Sequence, residues 1–86
     1  MITCIIVDDE PLARDILVEY TSKISFLQLV AECKNAYEAS AALQEHTVDL
    51  MFLDIQMPDI SGMKLLDTLE QKPYIIFTTA YSDYAV

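Results

Sequence analysis

The sequence contains little of several things that whole classes of protein require. It has one Gly, three Pro and no Trp in 86 residues, so it is neither collagen-like nor a low-complexity chain. Its first apolar run, Ile2 to Val7, stops at Asp8 and lacks the basic flank and the length of a signal or membrane-spanning segment. We expect one small globular domain that does not cross a membrane and whose core is marginal.

Positive charge is also scarce. Five Lys and Arg stand against fourteen Asp and Glu, which gives a formal net charge of -9. A surface with this balance repels the phosphate backbone, so direct nucleic-acid binding by these residues is not expected. Carboxylates gathered in one place can bind cations. The positions of the acidic residues therefore decide whether the excess negative charge is surface charge or part of a cation site.

The chain has only two cysteines, Cys4 and Cys33, and both lie in apolar runs. In a chain without a signal peptide, this favours reduced, buried thiols over a disulfide or a metal pair. The sequence therefore predicts a cytoplasmic location.

Two hydrophobic patterns alternate along the chain. Short β-rich runs cover Ile2–Val7, Leu27–Cys33, Asp49–Leu53 and Tyr74–Thr78. Segments of helical periodicity run from Pro11 to near Lys23, between Asn35 and His46, and from after Ser61 to before Pro73. This alternation predicts an α/β fold with a parallel sheet, and the continuous apolar runs of the first and third strands predict that these two are central.

The first helical segment is amphipathic. Its periodicity places Leu12, Ile16 and Tyr20 on one face, with Ala13 and Leu17 beside them. We expect the apolar face to be the one that packs.

Carboxylates follow two of the predicted strands directly. Asp8 and Asp9 come after the first strand, and Asp54 comes after the third. In an open α/β sheet, ligands bind beyond the carboxyl ends of the strands, so the three carboxylates are expected to meet there. Since they repel one another, the cluster predicts a hard divalent cation such as Mg²⁺.

Such a cluster can support phosphoryl transfer. A bound Mg²⁺ would shield the phosphoryl oxygens while a carboxylate attacks in line to give an aspartyl-phosphate. Asp54 is a single Asp after the central third strand, whereas Asp8 and Asp9 form a pair suited to holding a metal ion, so Asp54 is the better placed nucleophile. A simpler interpretation is that Asp9 or Glu10 only caps the next helix, but this does not explain why Asp54 ends a buried strand, where an unpaired charge is unfavourable.

Three segments resemble the signature segments of response-regulator receiver domains. They are Val7–Pro11, Leu53–Pro58 with Gly62, and Phe77–Ala80. The resemblance implies a flavodoxin-like, doubly wound parallel sheet, of which this chain would hold the strand order 2-1-3-4, with the fifth strand missing. It implies one receiver domain over residues 1–86 that is incomplete at its C-terminus.

The resemblance also implies the site. Asp9 and Asp54 would bind Mg²⁺ directly, Asp8 through water, and Gln56 through its backbone carbonyl. Asp54 would accept a phosphoryl group from a sensor histidine kinase, and Thr79 would be the switch hydroxyl that bonds the phosphoryl oxygen. Such a domain is a switch in transcription regulation and not an enzyme, and a DNA-binding output domain is expected beyond the C-terminus.

The chain departs from the family pattern at its end. It stops before the fifth strand and before the Lys that holds the phosphoryl group in the family. Lys72–Pro73 mimics the family's Lys-Pro pair but precedes the fourth strand, so we interpret it as a helix end. The stretch Thr79–Ala85 is similar to receivers that precede a LytTR-type DNA-binding domain.

Without a fifth strand, the fourth strand would be an unprotected edge of the sheet. Ile75, Ile76 and Phe77 would lie at that edge. Exposed edges and apolar patches pair with other chains, so the 86-residue chain is expected to form a homo-oligomer.

Two alternative functions stay open at this point. A haloacid-dehalogenase-like phosphotransferase also attacks with an Asp after an apolar strand, but that family places a second acid two residues later, where this chain has Gln56. The other alternative is a receiver-shaped interaction module that is never phosphorylated, because the phosphoryl-binding Lys is missing from the chain.

Overall fold

The computed structural model describes residues 1–55 and 72–78, and this part of the chain forms one parallel sheet with two helices. The elements are β1 (Ile2–Val7), α1 (Pro11–Ser22), β2 (Leu27–Cys33), α2 (Ala36–Glu45), β3 (Leu50–Leu53) and β4 (Tyr74–Phe77). The strand order is β2-β1-β3-β4. This confirms the predicted order and the central position of β1 and β3. The helix predicted after Ser61 lies outside the described residues.

The strand bounds differ from the prediction by at most one residue. β3 begins at Leu50 and not at Asp49, although the Asp49 backbone N–H still donates to the Thr3 carbonyl at 3.0 Å. β4 ends at Phe77, and the N–H of Thr78 still donates to Leu53 at 2.9 Å. The ladder of hydrogen bonds therefore extends across the predicted lengths.

Local capping explains where both helices begin. Pro11 occupies the first turn of α1, where a missing N–H leaves no bond unmade. The Glu10 side chain accepts a weak hydrogen bond from the backbone N–H of Leu12 at 3.5 Å. Asn35 caps α2 by accepting from the N–H of Glu38 at 2.8 Å. Among the described residues, no helix is long and apolar enough to span a membrane.

The main core lies between the sheet and α2. Its buried members are Ile5, Val7, Cys33, Ala36, Ala39, Ala42, Met51 and Leu53. The three alanines have small side chains, which allows α2 to lie close to the sheet. Cys4 and Ile6 are also fully buried but alternate with this cluster, so they face the opposite side of the sheet, which α1 covers.

The two cysteines are free and buried, which confirms the predicted thiols. Burial raises the pKa of the Cys33 thiol to about 11. The thiol is therefore protonated at neutral pH and unreactive.

The packed face of α1 is not the one the periodicity suggests. The exposed fractions are 71% for Leu12, 51% for Ile16 and 60% for Tyr20. The neighbouring stripe is turned inward: Ala13 and Leu17 are half-buried and Thr21 is buried. Thr21 tolerates burial because its hydroxyl donates to the Val18 carbonyl at 3.0 Å. The expectation for Leu12, Ile16 and Tyr20 was wrong because two adjacent stripes are apolar and periodicity does not choose between them.

β2 contains an irregularity that changes which side chains face α1. The register with β1 shifts by one residue, with pairs Cys4 to Leu29, Ile5 to Ala31 and Ile6 to Glu32. Val30 is the extra residue. Because a one-residue shift moves every later side chain to the other face, Glu32 lies beside Ile6 on the face that α1 covers.

The core predicts a clear contrast between two identical substitutions. Ile5→Val removes one methylene from a fully buried site, so we expect a loss of about 0.5–1.5 kcal/mol in the free energy of unfolding. Ile16→Val makes the same change on the exposed face of α1 and should leave stability within about 0.5 kcal/mol. Urea titrations followed by circular dichroism measure both, and equal effects would contradict this assignment of the core.

Candidate functional site

The carboxyl ends of β1 and β3 place acidic side chains next to each other. Asp8 follows β1, and its backbone N–H donates to the Cys33 carbonyl of β2 at 2.9 Å. Asp54 follows β3, and its N–H donates to the Val7 carbonyl of β1 at 2.9 Å. Both residues thus continue the sheet's hydrogen bonding by one position, which fixes their backbones at the same edge.

The structure brings together the three carboxylates that the sequence singled out. One ligand oxygen from each of Asp8, Asp9 and Asp54 lies within 4.8 Å of the others. Asp8 is 4% exposed and Asp54 is 7% exposed, whereas Asp9 is open to solvent. The cluster of oxygen atoms is therefore buried on the side of Asp8 and Asp54 and reaches solvent at Asp9.

This arrangement fits a small hard cation. Mg²⁺ takes six oxygen ligands at about 2.0–2.1 Å, so opposite ligands are about 4.2 Å apart and adjacent ones about 3 Å apart. The 4.8 Å span of the carboxylate oxygens is slightly larger than the ion's coordination sphere. Small rotations of the side chains would close it around an ion. The donors are all carboxylate oxygens, a ligand type that suits Mg²⁺.

Burial and neighbouring charges both act on the ionisation of Asp8. Burial raises the pKa of Asp8 above its ordinary value, and the nearby charge of Asp9 raises it further. Three features oppose the rise: the hydrogen bond from the Glu10 N–H, a side-chain hydrogen bond with Asp54, and the charge of Arg14. The rise prevails, so ionising Asp8 costs more in the metal-free protein than it does in water.

Asp8 is held at three separate atoms. Besides its backbone N–H, its Oδ1 accepts from the N–H of Glu10 at 2.9 Å. Its carbonyl oxygen accepts from Nη1 of Arg14 at 2.8 Å. Arg14 was not among the site residues predicted from the sequence. The available signals were that it is the only Arg in the chain and that it lies one turn into the helix that follows the Asp pair.

Two predicted site residues, Gln56 and Thr79, lie outside the described residues. Thr78, which precedes Thr79, is described. Its backbone N–H donates a hydrogen bond to the Leu53 carbonyl, which brings the end of β4 beside the residue that precedes Asp54. The Thr78 hydroxyl oxygen is buried and has no hydrogen-bond partner in the described part of the chain. The roles of Gln56 and Thr79 stay predictions.

The Lys72–Pro73 pair lies far from the carboxylates. Together with His46, it lines a cavity of about 400 Å³ between the end of α2 and the start of β4. That is the amino end of the sheet, whereas Asp8 and Asp54 lie at the carboxyl end. Lys72 therefore does not reach the carboxylate cluster, and the helix predicted to end there lies outside the described residues.

Comparison with known proteins identifies close relatives. The family model for the response regulator receiver domain matches residues 4–86. The transcriptional regulatory protein BtsR of Escherichia coli is 47% identical over 88 residues, which cover 100% of this chain and 37% of BtsR. The chain thus spans little more than a third of this relative's length.

Solved structures give the same assignment. The response regulator TrrA from Thermotoga maritima, in complex with Mg²⁺ and BeF, matches with a TM-score of 0.83 and 33% identity. The match covers 99% of this chain and 75% of the TrrA chain. The response regulatory domain of mrkE from Klebsiella pneumoniae matches with a TM-score of 0.82 and 32% identity, over 98% of this chain and 71% of that one.

The raised pKa of Asp8 predicts a pH-dependent stability difference in metal-free buffer. An acid whose pKa is higher in the folded state holds its proton longer there, so its contribution to stability is present below the ordinary value of 3.8 and is lost as pH rises through the raised pKa. Asp8→Asn cannot ionise, so it removes this loss of stability, and its side-chain oxygen can still accept the hydrogen bond from the Glu10 N–H. The variant should therefore gain stability relative to the parent as pH rises through this window.

Chemical denaturation at a series of pH values, with a chelator present, measures the difference. Asp15→Asn on the exposed side of α1 controls for the loss of one surface charge. A stability difference between Asp8→Asn and the parent that is flat over this range would contradict the assignment.

Proposed function

Because the chain belongs to the response regulator receiver domain family, we propose that it is the phosphoacceptor receiver of a two-component signalling system. In this proposal a sensor histidine kinase supplies a phosphoryl group, Asp54 accepts it, and Mg²⁺ binds at the cluster of Asp8, Asp9 and Asp54. The observation that carries the proposal is the cluster itself, with carboxylate oxygens within 4.8 Å of one another at the ends of two central strands.

The environments of the three carboxylates support different roles for them. Asp8 already accepts a hydrogen bond from the Glu10 N–H, and its backbone is held on both sides, which suits a residue that fixes a ligand sphere. Asp9 is solvent-exposed and can meet an ion as it enters. Asp54 is buried at the end of the central strand, where its position is defined by β1 and β3 together. This burial and backbone position support Asp54 as the carboxylate that attacks in line.

The reaction assigned to Asp54 is a simple displacement. One carboxylate oxygen forms a bond to phosphorus, the bond from phosphorus to the imidazole nitrogen of the donor breaks, and the electron pair returns to that nitrogen. Bound Mg²⁺ supplies charge that offsets the carboxylates and the phosphoryl oxygens. The protein holds the acceptor and keeps Asp8 and Asp9 beside it. The carbonyl of Gln56 is proposed as a further ligand.

We assign the switching step to Thr79. It follows Thr78 directly in the sequence, and Thr78 is bonded to Leu53, the residue before the acceptor. A hydroxyl one residue beyond that contact is well placed in sequence to bond an oxygen of a phosphoryl group on Asp54.

The output is proposed to be transcriptional. BtsR, which is 47% identical, is a transcriptional regulatory protein, and the chain matches 37% of its length. The net charge of -9 argues that any contact with DNA is made by another domain. A cytoplasmic location follows from this role and from the free thiols. The similarity of Thr79–Ala85 to receivers of the LytTR type stays a prediction.

The proposal describes a switch and not an enzyme. A phosphohydrolase of the haloacid-dehalogenase type needs an acid two residues after the nucleophile, and Gln56 occupies that position. An interaction module that is never phosphorylated would have no use for three converging carboxylates. The relationship to TrrA, whose structure contains Mg²⁺ and BeF, also supports the phosphoacceptor over the inert module.

Beryllofluoride, a phosphoryl mimic, tests the proposed function. We expect amide chemical shifts near Asp54 to change only when Mg²⁺ and beryllofluoride are both present, because the mimic needs the acceptor and the cation. Asp54→Asn should abolish the change. Asp9→Ala should weaken Mg²⁺ binding with little loss of folding, since removing one of several like charges relieves repulsion.

Asp15→Asn, an exposed change on α1, is the matched control and should behave as the parent. Unchanged shifts in the parent would favour the inert module. A steady release of phosphate from small phosphoesters would favour the hydrolase.

We also propose that the 86-residue chain associates with itself through β4. In the described part of the sheet, β4 lies at an edge and exposes Tyr74 (85%), Ile76 (47%) and Phe77 (49%). Such an edge presents unpaired backbone groups beside apolar side chains. Sedimentation velocity at several concentrations should show mass that increases with concentration.

The substitution Ile76→Lys should weaken this association, because edge charges oppose strand pairing. Ile24→Lys makes the same change at a residue of similar exposure outside the sheet and should not. A compact monomer at every concentration would exclude the association.

A further inference from the structure

Arg14 connects three elements around the carboxylate edge. It lies in the first turn of α1, where its backbone N–H donates to the Glu10 carbonyl at 3.0 Å. Its Nη1 donates to the Asp8 carbonyl at 2.8 Å. Its Nε lies 4.0 Å from Oε1 of Glu32 on β2. The side chain is only 19% exposed, so the guanidinium is held among these groups and not in free solvent.

The bond to the Asp8 carbonyl acts on the peptide that joins the two predicted ligands. That carbonyl belongs to the Asp8–Asp9 peptide group, which is planar, so fixing its oxygen also fixes the direction in which the chain leaves Asp8. Asp9 itself is exposed and has little packing to define its place. Arg14 therefore supplies an anchor on the Asp9 side of Asp8, whereas the Asp8 N–H bond to Cys33 anchors the strand side.

The register shift in β2 supplies the second partner of Arg14. Without the extra residue at Val30, Glu32 would face α2 and would not lie beside the guanidinium. At 4.0 Å and with the Glu32 side chain 46% exposed, this ion pair adds little stability. It places a negative charge beside Nε while Nη1 donates to the Asp8 carbonyl.

From this geometry we infer that Arg14 is a positioning residue of the cation site, which holds the Asp8–Asp9 segment in the arrangement that binds Mg²⁺. The inference rests on the proposed function, because it assumes that the three carboxylates bind the ion. Only an arginine fits the role fully. Its planar fork offers Nη1 and Nε to two acceptors at once, whereas a lysine ammonium is a single point charge.

Charge and position predict opposite effects of removing Arg14. As a cation near the cluster, Arg14 repels Mg²⁺, so the loss of its charge alone would make Mg²⁺ bind more tightly. If Arg14 instead anchors the Asp8–Asp9 segment, the loss of Arg14 would make Mg²⁺ bind more weakly. The sign of the change in Mg²⁺ affinity therefore distinguishes the two roles.

The experiment measures the Mg²⁺ dissociation constant by calorimetric titration of the full chain, at a temperature where circular dichroism shows each variant folded. Arg14→Met keeps the alkyl length and removes the fork. We expect it to raise the dissociation constant about ten-fold, the lower end of the effect of residues that orient metal ligands. Arg14→Lys keeps the charge and should give an intermediate value. Glu32→Gln should give a smaller increase in the same direction.

Lys34→Met removes a neighbouring exposed charge at the end of β2 and is the matched control, with a dissociation constant expected to equal that of the parent or fall below it. If Arg14→Met does not fold, Arg14→Lys decides the question. Dissociation constants for folded Arg14 variants that equal the parent's, or are lower, would overturn the inference. A parent chain that binds no Mg²⁺ would instead overturn the proposed function, so the two failures are distinguishable.

Discussion

The rest of the site depends on one unfavourable feature, the burial of Asp8 and Asp54 next to each other and to the charge of Asp9. Asp8 and Asp54 are each less than a tenth exposed, and an ionised carboxylate in such a place needs hydrogen bonds or a counter-ion. The fold supplies some of both, through the Glu10 N–H and the charge of Arg14. Since the pKa of Asp8 is still raised, the compensation is incomplete. A cation bound among the carboxylates would offset the remaining cost of their burial.

The sheet imposes this crowding of carboxylates because parallel strands put all their carboxyl ends on one side. β1 and β3 are adjacent and central, and each is followed at once by an acidic residue. The backbone bonds of Asp8 to β2 and of Asp54 to β1 then prevent the two carboxylates from moving apart. On the other side of the core, the alanines of α2 allow the helix to lie close to the sheet and cover the strands. The strands thus hold the three carboxylates close together.

Much of this could be predicted from the sequence, because the signals are strong where burial is complete. The continuous apolar runs of β1 and β3 predicted central strands, and the Asp residues at their ends predicted where the carboxylates meet. The packed face of α1 was predicted wrongly, since Leu12 and Ala13 begin adjacent stripes and both are apolar. The shift at Val30 leaves no mark in the hydrophobic pattern. Arg14 was missed because its partner is a backbone carbonyl, which has no sequence signature.

The central claim is that Asp54 accepts a phosphoryl group with the help of a cation bound by its neighbours. Incubation of the chain with acetyl phosphate, followed by intact-mass measurement and fragmentation, tests this claim most directly. The account predicts the addition of one phosphoryl group, located on Asp54, that forms with Mg²⁺ and does not form when the ion is chelated. A chain that gains no phosphoryl group in the presence of Mg²⁺, or gains it equally in Asp54→Asn, would contradict the account.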